Sequence, residues 1–278
     1  VEARFAAEPR NCPEAMWFHF RLAGLGGRAL RVVLANPEQT LGGPDWSHNR
    51  PVCRPASGAW RRAEDPRRVA APDGRVEWAW DASAGADAAE VAHCYPYQPA
   101  DLDATLAELG PAFQRTHVGL TADGREMPRV FSGPGDPSRP AAMLAARHHA
   151  GETPGSWVLD GLLRYVAARA ELRQAVTWWA VPFVDLDDVV TGSYGKDPFP
   201  CDANRGYGPG PVRRPECGAV MADLRRLRSA ASRMLFVDLH APTHHEQTCY
   251  VPTRGWSEGS PTNPIAVEFA ESFRRSVP

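Results

Sequence analysis

The stretch AAMLAARHHAGETPGSWVLDGLLRYVAARA, residues 141–170, decides the fold. It opens on AAMLAA, a short uncharged run of the length of a strand buried on both faces. Two histidines and a glutamate follow. Pro154 then stands at the first turn of a segment in which Trp157, Val158, Leu162, Tyr165 and Val166 recur at helical spacing. The pattern predicts a strand that runs into the histidines and a helix over 154–171.

Two further apolar runs, TWWAVPFV (177–184) and RMLFVDL (233–239), are each separated from their neighbours by a helix or a long loop. This β-then-α rhythm predicts an α/β fold, a mostly parallel mixed sheet flanked by helices. THVGLTADGREMPRVFSG (116–133) reads as a hairpin ahead of it, and NPIAVEFAESFRRS (263–276) as a further helix. Residues 1 to about 95 read differently. MWFHFRL (16–22), RALRVVLAN (28–36) and RVEWAWDA (75–82) alternate apolar and polar positions between glycine-rich breaks, which predicts an all-β sandwich. Gly110-Pro111 marks the boundary, so the expected domains are 1–110 and 111–278.

Composition narrows the function classes. A net charge of −2 leaves no basic footprint for nucleic acid or an anionic membrane. No apolar segment approaches the roughly 20 residues of a membrane-spanning helix. Six cysteines without a C-x-x-C pair suggest reduced thiols and a cytoplasmic protein rather than a disulfide framework.

His149 and Glu152 lie three residues apart at the end of one predicted strand, and His240 ends another. Strand C-termini in an open α/β sheet converge on one edge, so ligands distant in sequence can meet there. Two histidines and a glutamate are a catalytic zinc set with the fourth position left open. The H-x-x-E spacing alone is common by chance, and the second strand-terminal histidine is what strengthens it. His148 is expected to face the other way, as a hydrogen-bonded structural histidine, because successive strand side chains alternate.

Beyond this spacing, PFVDLDDVVTGSYGKDPFPCDANRGY (182–207), HHAGE (148–152) and the D-L-H ending at His240 resemble the zinc carboxypeptidases. MWFHFRLAGL (16–25), AWRR (59–62) and CYPY (94–97) resemble the β-sandwich of their cytosolic carboxypeptidase branch, which has bacterial members. The resemblance implies one Zn²⁺ on His149, Glu152 and His240, with Asp202 orienting His149. It implies that Arg205, helped by Asn204, binds the substrate's C-terminal carboxylate. Many relatives carry an arginine where this chain has Gly195, so Lys196, the sole lysine of the sequence, becomes the candidate oxyanion stabiliser. Asp185, Asp188 and Gly206 are smaller departures, with Asp188 a candidate to tighten the loop or bind a cation. The family's general base is a glutamate on a late strand. Glu246, Glu268 and Glu271 lack that context, so the chain, ending at Val277-Pro278, is expected to stop short of the base and of the C-terminal part of the catalytic domain. The implied activity is hydrolysis of the C-terminal peptide or isopeptide bond of peptides or protein tails, acidic tails being natural first substrates. An N-acyl amino acid deacylase or amidase, or a non-catalytic peptide-binding protein with a vestigial zinc site, are the competing readings.

Overall fold

The computed structural model describes residues 1–278 except 83–84, 209, 242–248, 254–260 and 277–278. Residues 1–241 form one compact unit and residues 242–278 a second.

The first unit begins with eight short strands, β1 (Glu2–Phe5), β2 (His19–Ala23), β3 (Leu30–Leu34), β4 (Val52–Pro55), β5 (Arg61–Arg62), β6 (Arg67–Ala70), β7 (Val76–Ala82) and β8 (Ala88–Ala92). They form two four-stranded sheets in the orders β1-β3-β7-β6 and β2-β8-β4-β5. Alternation along β3 and β7 sends Val32, Leu34, Trp78 and Trp80 into a shared core with Phe18, Trp46 and Val91. The buried indoles keep their polar handle satisfied: Trp46 donates to Thr40 Oγ1 at 2.9 Å and Trp80 to the Asn49 carbonyl at 2.8 Å. This is the expected sandwich.

Helix α1 (Pro99–Leu109) follows, its first turn closed by Asp101, which accepts from the Gln98 backbone N–H at 2.7 Å. Then come β9 (Gln114–Leu120), β10 (Glu126–Phe131), β11 (Ala141–Ala146), α2 (Thr153–Ala167), α3 (Ala170–Ala175), β12 (Thr177–Val181), α4 (Leu186–Thr191), α5 (Pro215–Ser229) and β13 (Met234–Leu239). The five strands order as β13-β11-β12-β10-β9. β11 pairs in parallel with both β12 and β13, while β10 pairs antiparallel with β12 and with β9. The sheet is therefore mixed, and its parallel part is the three strands predicted from their apolar runs. β12 is shorter than its run, because Pro182 cannot donate to a ladder. The predicted helix over 154–171 closes at Ala167, where Arg169 turns extended before α3 begins.

β11 is buried along its whole length. Leu144 and Ala146 pack with Leu102, Leu159, Leu163 and Val166 of α1 and α2. Met143 and Ala145 face the other way, onto Val220 and Leu227 of α5. Burying one such large side chain contributes about 1.5–3 kcal/mol, so helices on both faces hold this strand in register. α2 comes close to β13 at Gly155, where an added Cβ would stand 2.5 Å from the Leu239 carbonyl oxygen. That approach brings the loop before α2 against the end of β13.

The second unit contains helix α6 (Pro264–Ser276), as its 3.6-residue pattern predicts. Its Ile265, Phe269 and Phe273 recur four residues apart and are all exposed.

Candidate metal centre

β11 ends at Ala146, and Arg147 turns the chain with a φ of 62°. A left-handed arginine costs free energy and persists only where its surroundings over-determine it. Here they do. The Arg147 side chain is buried and donates through Nε to the Ala150 carbonyl at 2.6 Å, and through Nη1 to the Tyr97 carbonyl at 2.9 Å and to Ser156 Oγ at 3.2 Å. One guanidinium thus ties the loop 148–152 to the start of α1 and to α2.

That loop presents His149 and Glu152 to His240, which follows β13 directly. His149 Nδ1 lies 2.7 Å from Glu152 Oε1, and His240 Nδ1 lies 2.7 Å from Glu152 Oε2. The other nitrogen of each ring is turned to an acid. His149 Nε2 stands 3.1 Å from Asp202 Oδ2, and His240 Nε2 stands 2.8 Å from Asp238 Oδ2. Glu152 also accepts from the Ala241 backbone N–H at 3.0 Å and from the Tyr194 hydroxyl at 3.4 Å.

Asp202 caps a 3₁₀ turn, Ala203–Arg205, accepting from the Asn204 and Asp197 backbone N–H groups at 2.7 and 3.2 Å. Its carboxylate is therefore fixed before His149 meets it.

The electrostatics follow from burial opposed by pairing. Burial alone would neutralise Glu152, yet hydrogen bonds from both imidazoles outweigh it and lower its pKa to about 2. Burial likewise disfavours a charged His240, but hydrogen bonds to Asp238 and Glu152 raise it to about 10. His149 is raised by Asp202 and Glu152 against the same burial. Asp202 and Asp238 fall well below the usual carboxylate range, the pull of His149 on the first and of His148 and His240 on the second exceeding their own desolvation.

Three acids around two imidazoles call for positive charge between the rings and Glu152. Zinc fits this donor set: ligand atoms of His149, Glu152 and His240 all lie within 4.8 Å of one another, and each ring has its second nitrogen turned to an anion.

The other predicted residues fall as follows. Asn204 places its amide 3.0 Å from His240 Nε2, so it borders the candidate site directly. Arg205, the next residue of the turn, is exposed, and among the described residues its side chain makes no hydrogen bond or ion pair. Lys196 is half-buried and likewise free of such partners among the described residues. Its backbone is threaded between the two halves of the site. Gly195 has a φ of 76°, and a Cβ there would meet the Ala150 backbone nitrogen at 2.6 Å, while the Asp197 N–H donates to Asp202. Position 195 thus has no room for an arginine in this backbone.

Asp185 accepts Arg214 through both oxygens, at 3.0 and 3.2 Å, and caps α4. Asp188 accepts both its contacts from Asn11 Nδ2, at 2.9 and 3.2 Å, which ties the loop to the N-terminal segment. Glu268 and Glu271 are exposed on α6, and Glu246 lies outside the described residues.

His148 departs from expectation in one respect. Because β11 stops before it, strand alternation does not turn it away, and its ring stacks on His240 with centroids 5.9 Å apart. It is hydrogen-bonded at both nitrogens, as a structural histidine should be. Asp238, Tyr194, Tyr207 and Arg147 were not read from the sequence. For Asp238 a signal was there: an acid near the end of β13, only two residues before His240, is within reach of that ring.

A three-layer α/β unit with two histidines and a glutamate just after the ends of its parallel strands, preceded by a sandwich, is a carboxypeptidase-like fold. The solved metallo-carboxypeptidase from Burkholderia cenocepacia superposes with a TM-score of 0.71 at 22% identity, over 86% of this chain and 65% of that one. The metallo-carboxypeptidase from Pseudomonas aeruginosa does so with a TM-score of 0.71 at 20% identity, over 87% of this chain and 64% of that one. Residues 3–94 match the cytosolic carboxypeptidase N-terminal domain. Cytosolic carboxypeptidase 3 of Mus musculus is 29% identical over 153 residues, 49% of this chain and 15% of that protein. Cytosolic carboxypeptidase 6 of Caenorhabditis elegans is 26% identical over 208 residues, 68% of this chain and 43% of that protein. These matches support the metallocarboxypeptidase family, and its cytosolic carboxypeptidase-like branch, as the one this chain resembles. The chain spans less than half the length of these curated relatives.

Proposed function

We propose that the chain carries the metal-binding and carboxylate-recognising part of a zinc-dependent carboxypeptidase, acting on the C-terminal peptide or isopeptide bond of a peptide or protein tail. The observation that carries this reading is the meeting of His149 Nδ1, His240 Nδ1 and both oxygens of Glu152, with Asp202 and Asp238 behind the rings. Bound by these three residues, zinc supplies a Lewis acid that polarises the scissile carbonyl and acidifies water towards neutrality. Asp202 keeps the His149 proton on Nε2, so that Nδ1 is free to ligate.

Arg205 is the group for the substrate's terminal carboxylate: a guanidinium fork matches a planar anion through two parallel hydrogen bonds, and this one has no ion-pair partner among the described residues. Asn204 assists from the adjoining position. Lys196 is the electrophile for the developing oxyanion, a role usually worth about 10² to 10³ in rate. The general base is a glutamate other than Glu268 and Glu271. We read residues 1–110 as the sandwich domain and 111–278 as belonging to the catalytic domain. A cytoplasmic setting agrees with the cytosolic naming of the relatives and with six free cysteines. No described helix is long and apolar enough to cross a membrane.

The test uses the full-length gene product. It is expected to bind about one zinc and to release a C-terminal amino acid from peptides in a chelator-sensitive way, leaving C-terminal amides uncut. A zinc-loaded full-length protein inert on a broad peptide panel rejects the proposal. Turnover of N-acyl amino acids but not of oligopeptides would favour a deacylase, and carboxylate-dependent peptide binding without turnover a binding protein.

A further inference from the structure

Asp238 is held between two imidazoles. Its Oδ1 lies 2.7 Å from His148 Nδ1 and its Oδ2 lies 2.8 Å from His240 Nε2. Behind it, His148 Nε2 lies 2.6 Å from the Tyr207 hydroxyl. An ionised carboxylate only accepts, so both ring nitrogens that face Asp238 are donors. A neutral His148 with its proton on Nδ1 then offers Nε2 as an acceptor, and the Tyr207 O–H donates to it. Every proton in the row is assigned: Tyr207 to His148, His148 to Asp238, and His240 Nε2–H to Asp238. The Asn204 amide, 3.0 Å from His240 Nε2, can turn its oxygen or its nitrogen to that atom, and the adjacent anion decides where the proton sits. The outcome is a His240 protonated on Nε2, which leaves Nδ1, here donating to Glu152 at 2.7 Å, as the nitrogen that would give up its proton to a metal.

His148 is itself no part of the first set of ligands, being 1% exposed and engaged at both nitrogens. We infer that His148, backed by Tyr207, is a positioning residue: it anchors Asp238, and Asp238 selects the tautomer and the ring orientation with which His240 grips the metal. This rests on reading His149, Glu152 and His240 as the metal ligands. A different use of the same groups is a second ion, since ligand atoms of His148, Asp238 and His240 also lie within 4.8 Å of one another. That use would require His240 to lose its Nε2 proton while Nδ1 also ligates, and the present distances are those of hydrogen bonds already made.

The experiment measures zinc alone, by equilibrium competition with a chelating dye, together with the visible spectrum of the cobalt-loaded protein. H148L, which removes the donor to Asp238, is expected to weaken zinc binding about tenfold, in line with outer-shell partners of metal-bound histidines, and to shift the cobalt bands. H148N restores an N–H at the Nδ1 position and is expected to return affinity to within about threefold of the wild type. Unchanged affinity and spectrum in H148L, or no recovery in H148N, would overturn the inference. Should H148L fail to fold, Y207F deletes one hydroxyl and leaves each ring in place; about a threefold loss of affinity supports the row of donors, and no loss overturns it. Two equivalents of zinc on the wild type, one lost in H148L, would establish the second ion instead. A wild type that binds no zinc would fail the site itself, which separates that result from failure of the inference alone.

Discussion

His149 and His240 reach Glu152 from different strands, yet each gives Nδ1 to the glutamate and Nε2 to an aspartate. D202N replaces an anion that accepts by an amide whose nitrogen donates, so the tautomer of His149 is no longer fixed. Zinc affinity, measured by chelator competition, is expected to fall about 10- to 100-fold, while the fold persists. Arg205 makes a separate prediction that rests on the proposed function: R205K keeps the charge but loses the fork, and KM for a peptide with a free terminal carboxylate is expected to rise about tenfold or more with little change in kcat. That His149, Glu152 and His240 meet was legible because they follow the ends of two apolar runs. Tyr207 was not, since its hydroxyl meets a histidine 59 residues away and local spacing carries no trace of such a contact.

At the scale of elements, the distance between α2 and β13 sets whether Glu152 and His240 can share an ion. Gly155 allows that distance, its Cβ position lying 2.5 Å from the Leu239 carbonyl oxygen. G155L is expected to push the helix from the strand end, costing about 1–3 kcal/mol in urea denaturation and lowering zinc affinity in parallel. Unchanged zinc affinity would show that the contact does not position the site. The sequence made β11, β12, β13 and α2 readable because runs of apolar residues and 3.6-residue spacing depend on burial alone. It misplaced the end of α2 and of β12 by a few residues, and it placed His148 by an alternation that needs a strand to continue. Arg147, turned into the left-handed region, ended that strand.

Across residues 1–241, the sandwich and the α/β layers meet beside the site. Arg10 donates to the Thr191 carbonyl, Asn11 to Asp188, and Trp17 packs with Cys12, Met16 and Tyr194, the tyrosine whose hydroxyl reaches Glu152. The metal-free unit should show this cluster in its pH dependence. Glu152 is lowered from 4.5 to about 2, so its contribution is present above about pH 4.5 and lost as pH falls towards 2. His240 is raised from 6.5 to about 10, so its contribution is present below about pH 6.5 and lost as pH rises towards 10. Thermal melting in a chelator is expected to be highest between those limits, at about pH 4.5–6.5, and H240A should flatten the alkaline decline. Lys196 has a further consequence. A lysine-directed endoprotease has one peptide bond to attack in this chain, between Lys196 and Asp197, and both flanks are pinned, by the packing of Gly195 on Ala150 and by the bond from Asp197 to Asp202. The native chain should therefore survive such digestion, and scission into two pieces would time the opening of this loop.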